Sequence, residues 1–217
     1  MNKNLLKIPC TDEVRSAVAA MARTTTLKDP VTIAELMMGL PKLGMLDCGH
    51  AFIAAGAFMA ALKNSPYGGK ITDTEVSEAL DRTASQIVKE SCALTGVCGI
   101  VPAMGACFSL FLGVRFGSVR EQQIVMDAVT RVSQALTDLT GPVCCKAYVR
   151  ASLSAAATLF AERFGIMLPA SPSASTCRSS DKHPYGCSSE KCPYYHQAST
   201  PDIFADSIHL KPTTCHS

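Results

Sequence analysis

The sequence predicts an all-α protein: a compact helical bundle followed by an irregular, cysteine-rich C-terminal segment. Three observations carry that reading. Apolar residues recur at helical spacing through most of the first 168 positions, no strand-period segment of any length competes with them, and the composition changes abruptly after Leu168. The chain divides accordingly into a helical domain, residues 1–168, and a Cys/Ser/Pro-rich tail, residues 169–217.

Taken in order, a short amphipathic run covers Asp12 to Met21, and another runs from Ile33 to Leu40, where Pro41 ends it. The segment "CGHAFIAAGAFMAALKN" (48–64) is apolar almost all round and reads as a central, buried helix. "PYGGK" breaks the chain after it. Thr72 with Glu75 forms a capping-box start for a helix through about Glu90, with Val76, Leu80, Ala84 and Val88 on one stripe. Ser118 with Glu121 opens another helix in the same way; Ile124, Val125, Ala128, Val132, Ala135 and Leu139 lie along it, and Thr140-Gly141-Pro142 stops it. A last helix is expected from about Val143 to Arg163. Between Glu90 and Arg115 lie 24 uncharged residues, "SCALTGVCGIVPAMGACFSLFLGV". Their length would satisfy a membrane span, but four Gly, a Pro and several Ser, Thr and Cys dilute the hydrophobicity. Capped amphipathic helices on either side need water. A buried central helix is the expectation, and a membrane is disfavoured.

The tail has few large aliphatic residues and cannot bury enough apolar surface to offset the entropy of ordering it. It is expected either to be partly disordered or to be stapled onto the body by metal. Bulk composition excludes other roles. Net charge is +2, basic residues are scattered and tryptophan is absent, so nothing supports nucleic-acid binding. There is no phosphate-binding glycine loop, GxSxG elbow, HExxH or CxxxCxxC.

The anomaly is sulfur. Eleven cysteines, an odd number, follow an amino terminus without a signal-peptide pattern, which implies a reducing compartment, the cytoplasm, where thiols stay free, bind metal or react. Cys92 and Cys98 flank a turn containing Gly96. Cys144 and Cys145 stand side by side in "GPVCCK", where a helix amino terminus and Lys146 would favour thiolate. Neighbouring side chains on a helix diverge by about 100°, so the two thiols suit two jobs, one ligating metal and the other reacting or binding a second centre. Cys177, Cys187 and Cys192 form a third set in the tail, with His183 and His196 nearby in sequence. His50, beside Asp47 and Cys48 in "DCGHA", is a candidate ligand or proton-transfer group. Cys107 lies in an apolar run and reads as packing; Cys10 and Cys215 have no such context.

The ordered set "CGHAFIAAGAFMAALKN", "CALTGVCG", "GPVCCK", "FGIMLP" and "C…C…CPYY" resembles an uncharacterised Cys-rich domain family of anaerobic bacteria and methanogenic archaea. Members of that family are sometimes joined to, or encoded beside, methyltransferases that use S-adenosylmethionine. The resemblance spans about residues 44 to 196 and places family cysteines at Cys92, Cys98, Cys144, Cys145, Cys177, Cys187 and Cys192, with a histidine near His50. Two departures are Ala93, where the family tends to have Gly, and Ala147, where Arg is usual; the missing arginine removes an anion contact the family would supply.

Residues and resemblance together point to a thiolate metal-binding protein of anaerobic metabolism with a redox, sulfur- or methyl-group-handling role. The expected cofactor is an iron–sulfur cluster of the 4Fe-4S kind, with zinc as the alternative. Its candidate ligands are the seven family cysteines, of which Cys92, Cys98, Cys144 and Cys145 come from the body. Catalytic candidates are Cys144, Cys145 and His50, and whether the protein is an enzyme is left open. The expected partner is a methyltransferase or redox protein, and an oligomer is compatible with the sequence. Two rival readings are a zinc-stabilised, non-enzymatic interaction module partnering a methyltransferase and a metal-free thiol redox switch.

Overall fold

The computed structural model describes residues 12–66, 68–87, 91–139, 141, 143–170 and 177–195. Among these, eight α-helices form the body: α1 (Asp12–Thr24), α2 (Pro30–Met37), α3 (Gly49–Asn64), α4 (Asp73–Gln86), α5 (Ser91–Thr95), α6 (Ile100–Leu112), α7 (Val119–Thr137) and α8 (Cys145–Phe164). The described residues contain no strand, only an isolated parallel bridge between Cys177 and Tyr195. The all-α prediction is met. No described helix is long and apolar enough to cross a membrane.

α3 is the axis. Every residue from Gly49 to Leu62 is buried, and α1, α2, α4, α6 and α8 all pack against it. A helix with no polar face has no side to give to water, and its run of Ala and Gly lets five neighbours approach closely. α6, α7 and α8 close the bundle on one side, where Phe160 sits among other aromatic rings. Its centroid lies 5.1 Å from that of Phe58, 4.7 Å from those of Phe108 and Phe111 and 5.0 Å from that of Phe164, all edge-on.

The helix starts show how local chemistry sets the boundaries. At α4 both halves of the capping box form: the Thr72 hydroxyl accepts from the Thr74 amide at 3.1 Å and Glu75 accepts from the Thr72 amide at 2.9 Å. α2 begins three residues before the expected Ile33, because Asp29 accepts from the Val31 and Thr32 amides and Pro30 occupies the first turn. At α7 the expected capping box is absent. The Ser118 hydroxyl accepts from the Arg115 amide instead, at 3.1 Å, and makes no cap bond.

The 24-residue uncharged run is not one buried helix. Gly96, at φ 75°, turns the chain in a conformation that disfavours side chains. It separates the five-residue α5, where Leu94 is left exposed, from the buried α6, and Val97 just after the turn is exposed as well. Short apolar stretches punctuated by glycine carry no period to distinguish these cases.

Removing the Phe160 ring leaves a cavity that four surrounding rings cannot collapse into. Phe160→Ala is therefore expected to cost about 3–5 kcal/mol, whereas Met126→Ala on the exposed face of α7 should stay within about 0.5 kcal/mol. Denaturant unfolding followed by circular dichroism checks both.

Candidate metal centre

The vicinal cysteines sit at the entrance to α8. Cys144 is the extended N-cap residue (φ −129°, ψ 104°) and Cys145 the first helical residue, with no side-chain cap bond at that end. The change of backbone conformation between them sends the two thiols to different surroundings.

Cys144 faces the tail. The segment 177–195 lies over the start of α8, where Cys177 and Tyr194 bury themselves against Ala147, with Cys144, Cys192 and Leu139 packed around them. The Cys177 amide donates to the Tyr194 carbonyl at 2.7 Å, and His183 Nε2 donates to the Val143 carbonyl at 2.9 Å. Gly141 makes the approach feasible. Its φ is 101°, and a Cβ there would lie 1.8 Å from Ser188 Oγ. A small cavity between body and tail is lined by Cys144, Cys177, Cys187, Cys192, Arg150 and His183. The structure thus brings all three tail cysteines to one member of the vicinal pair. His183 is not an available ligand in this arrangement, since its Nδ1 accepts from the Tyr185 amide while Nε2 is engaged by Val143. His196, Cys10 and Cys215 lie outside the described residues.

Cys145 faces the other way, toward the start of α3. The Asp47 amide reaches its thiol, and Cys98 and Cys92 are close enough for their charge to oppose its ionisation. Cys98 in turn senses Cys92 and Cys48. Cys48, the N-cap residue of α3, is a thiol that sequence reasoning notes only as a neighbour of His50 and does not group with these. Cys107 is buried packing as expected, its thiol donating to the Ala55 carbonyl at 3.8 Å. Among the described residues no three His, Cys, Asp or Glu side chains converge closely enough to hold one metal ion.

Electrostatics correct one expectation. The vicinal thiols were expected to be acidified by the helix start and by Lys146. Burial instead pushes Cys145 up to about 12 and raises Cys144, outweighing the amides of Lys146 and Ala147 that work the other way at Cys144. Lys146 turns inward and donates to the Met38 carbonyl at 2.9 Å. Its own pKa is lowered, first by burial and then by the charge of Arg150. Burial therefore works against thiolate at both positions, opposite to the acidification expected from the helix start.

Arg150, absent from the sequence reading, is 2% exposed. It grips Glu35 through two bonds, Nε to Oε1 at 2.5 Å and an η nitrogen to Oε2 at 2.9 Å. It also lies over the Tyr194 ring at 5.4 Å and interacts with Cys177. His50 is 1% exposed. Its Nδ1 donates to the Asp47 carbonyl at 2.9 Å, and its Nε2 has no partner. Burial lowers its pKa to about 4, so the ring is neutral at pH 7 and presents a lone pair, not a proton.

The fold and site define a class: an all-helical body whose cysteine-bearing tail closes over one helix entrance. The chain belongs to a family described as a family of unknown function (DUF5714), whose model matches residues 18–195. No curated protein and no solved structure matches it.

Two outcomes test this geometry. Gly141→Ala should destabilise the docked tail by about 1–2 kcal/mol through backbone strain and the Ser188 clash, read as faster proteolysis within 177–195 while the body still unfolds cooperatively. Glu35→Ala strands the buried Arg150 and is expected to cost about 2–3 kcal/mol, near the low end for a buried pair because Glu35 keeps some water. The double variant Glu35→Ala/Arg150→Met should recover most of that loss in the same unfolding assay.

Proposed function

We propose that this protein is a thiolate metalloprotein that carries an iron–sulfur cluster and serves electron, sulfur or methyl-group transfer in anaerobic metabolism. The observation that supports it is the ring of four thiols, Cys144, Cys177, Cys187 and Cys192, around one cavity beside a buried arginine. Soft thiolates select iron–sulfur clusters or zinc. Around a single tetrahedral zinc, with Zn–S bonds of about 2.3 Å, four sulfurs must crowd onto one point. Among the described residues no three such side chains converge on one point, so either a cluster or a zinc ion would have to draw the tail thiols inward on binding.

The donor set fits the group in charge as well. Four thiolates around a cluster leave net negative charge, and Arg150 and Lys146 stand beside Cys177 and Cys144 to offset it. When bound, an iron–sulfur cluster supplies one-electron transfer. Residues of this chain hold the thiols in place, with Gly141 admitting the tail, His183 tying it to Val143 and Arg150 compensating charge. The partner in this reading is a methyltransferase or redox protein of the cytoplasm.

Protein purified without oxygen is expected to contain iron and acid-labile sulfide and to absorb visible light that bleaches on reduction. Cys187→Ser should lose that absorption together with protection of residues 177–195 from protease. Stoichiometric zinc without sulfide or colour would replace the cluster by a structural zinc site, and absence of any metal with reversible thiol oxidation would leave a redox switch.

A further inference from the structure

We propose that the cavity between tail and body is a hydrogen peroxide site, in which Cys177 is oxidised and Cys144 then joins it in a disulfide. The proposal concerns the metal-free chain and does not depend on the cluster reading.

The start of α8 sets the geometry. Cys144, Ala147 and Arg150 follow one another at intervals of three, so they form a stripe along one face of the helix. Cys177 is 9% exposed and packs against Ala147, the middle of that stripe. It therefore lies between a thiol on one side and a guanidinium on the other, and Cys144, Cys177 and Arg150 all line the same cavity. That cavity, about 20 Å³, has room for one water-sized molecule. Hydrogen peroxide is little larger than water, and a bulky organic hydroperoxide is shut out.

Arg150 supplies the electrostatics. A guanidinium carries five N–H donors. Glu35 takes two of them and fixes the plane of the group. The others remain on a side chain that is 2% exposed and borders the cavity. A fixed, buried cation with spare donors can receive the charge that develops on oxygen as an O–O bond breaks. Arg150 interacts with Cys177, whereas the Cys187 sulfur is already engaged by the Ser189 amide at 3.3 Å.

The chemistry balances with peroxide as the sole oxidant. The Cys177 sulfur attacks one peroxide oxygen, the O–O bond breaks and a sulfenic acid forms; the departing hydroxide takes the thiol proton and leaves as water. The Cys144 sulfur then attacks the sulfenic sulfur, the S–O bond breaks, and hydroxide leaves with the Cys144 proton as a second water. Two thiols become one disulfide, and one peroxide becomes two waters. The new bond ties the tail to the body beside the place where His183 already holds it to Val143. A dithiol reductant reverses it by exchange.

The test uses the full chain, reduced, stripped of metal with a chelator and exposed to stoichiometric hydrogen peroxide. Peptide mass mapping should find a Cys144–Cys177 disulfide, formed before Cys92, the exposed thiol of α5, is oxidised. Cumene hydroperoxide, too large for the cavity, should leave Cys177 reduced over the time in which hydrogen peroxide consumes it. Both readouts use the unaltered chain. In Cys144→Ser, dimedone should label Cys177 as the sulfenic acid. The double variant Glu35→Ala/Arg150→Met, with helical content checked by circular dichroism, should oxidise Cys177 roughly 100-fold more slowly, with Cys92 unchanged as the internal control. Oxidation of Cys92 ahead of Cys177, equal rates with the two hydroperoxides, or an unchanged rate in the folded double variant each overturns the peroxide site. A disulfide from Cys177 to Cys187 or Cys192 overturns the role of Cys144.

Discussion

The burial of α3 from Gly49 to Leu62 is the constraint from which the rest of the architecture follows. A helix of sixteen residues with no polar face can exist only if other helices cover it from every direction, and α1, α2, α4, α6 and α8 do so. Close coverage demands small residues along its length, which Ala54, Ala55, Gly56, Ala57, Ala60 and Ala61 supply. It also forces the amino termini of the covering helices to end near that of α3 or to cross it. α6 and α8 begin there, so the cysteines at their entrances are brought together by the same packing that buries the core.

The second constraint is electrostatic. Lys146 and Arg150 are 8% and 2% exposed, on one face of α8. Glu35 acts on both, yet bonds only Arg150, while Lys146 makes do with the Met38 carbonyl. Two buried cations and one carboxylate leave an imbalance, and uncompensated buried charge is costly. Thiols on the same side, Cys144 and Cys177, would supply the missing negative charge if ligated as thiolates. Each would then stabilise the other: cations lower the cost of gathering thiolates, and thiolates lower the cost of burying Lys146. It is a reason, independent of the cysteine count, for assigning the proposed chemistry to the α8 entrance.

Much of the bundle was legible because its signals are local or periodic. The Thr72–Glu75 capping box and the apolar run of α3 each encode their own structure, and both appear as expected. Signals failed where a tertiary contact decided the outcome. Ser118 has the spacing of a capping box, but its hydroxyl is drawn to Arg115 by the preceding turn. At Cys144 and Cys145 the sequence showed a helix start and a neighbouring lysine, which lower a thiol's pKa, and could not show the burial that raises it further. Cys92, Cys98 and the vicinal pair were singled out by local context. Cys48 and Arg150 were not, because what makes them notable is who lies across from them: α6 and α8 for one, Glu35 and the tail for the other.

The same distinction explains why two thiols stand next to each other. Had both been placed within a helix or within a loop, their side chains would diverge but share one element's surroundings. Placing the helix boundary between them does more: the extended Cys144 belongs to the incoming loop, which Gly141 lets pass under the tail, whereas Cys145 belongs to a helix whose direction is fixed by α3. Cys144 is thus held by packing between loop and tail, Cys145 by the helix that packs on the core.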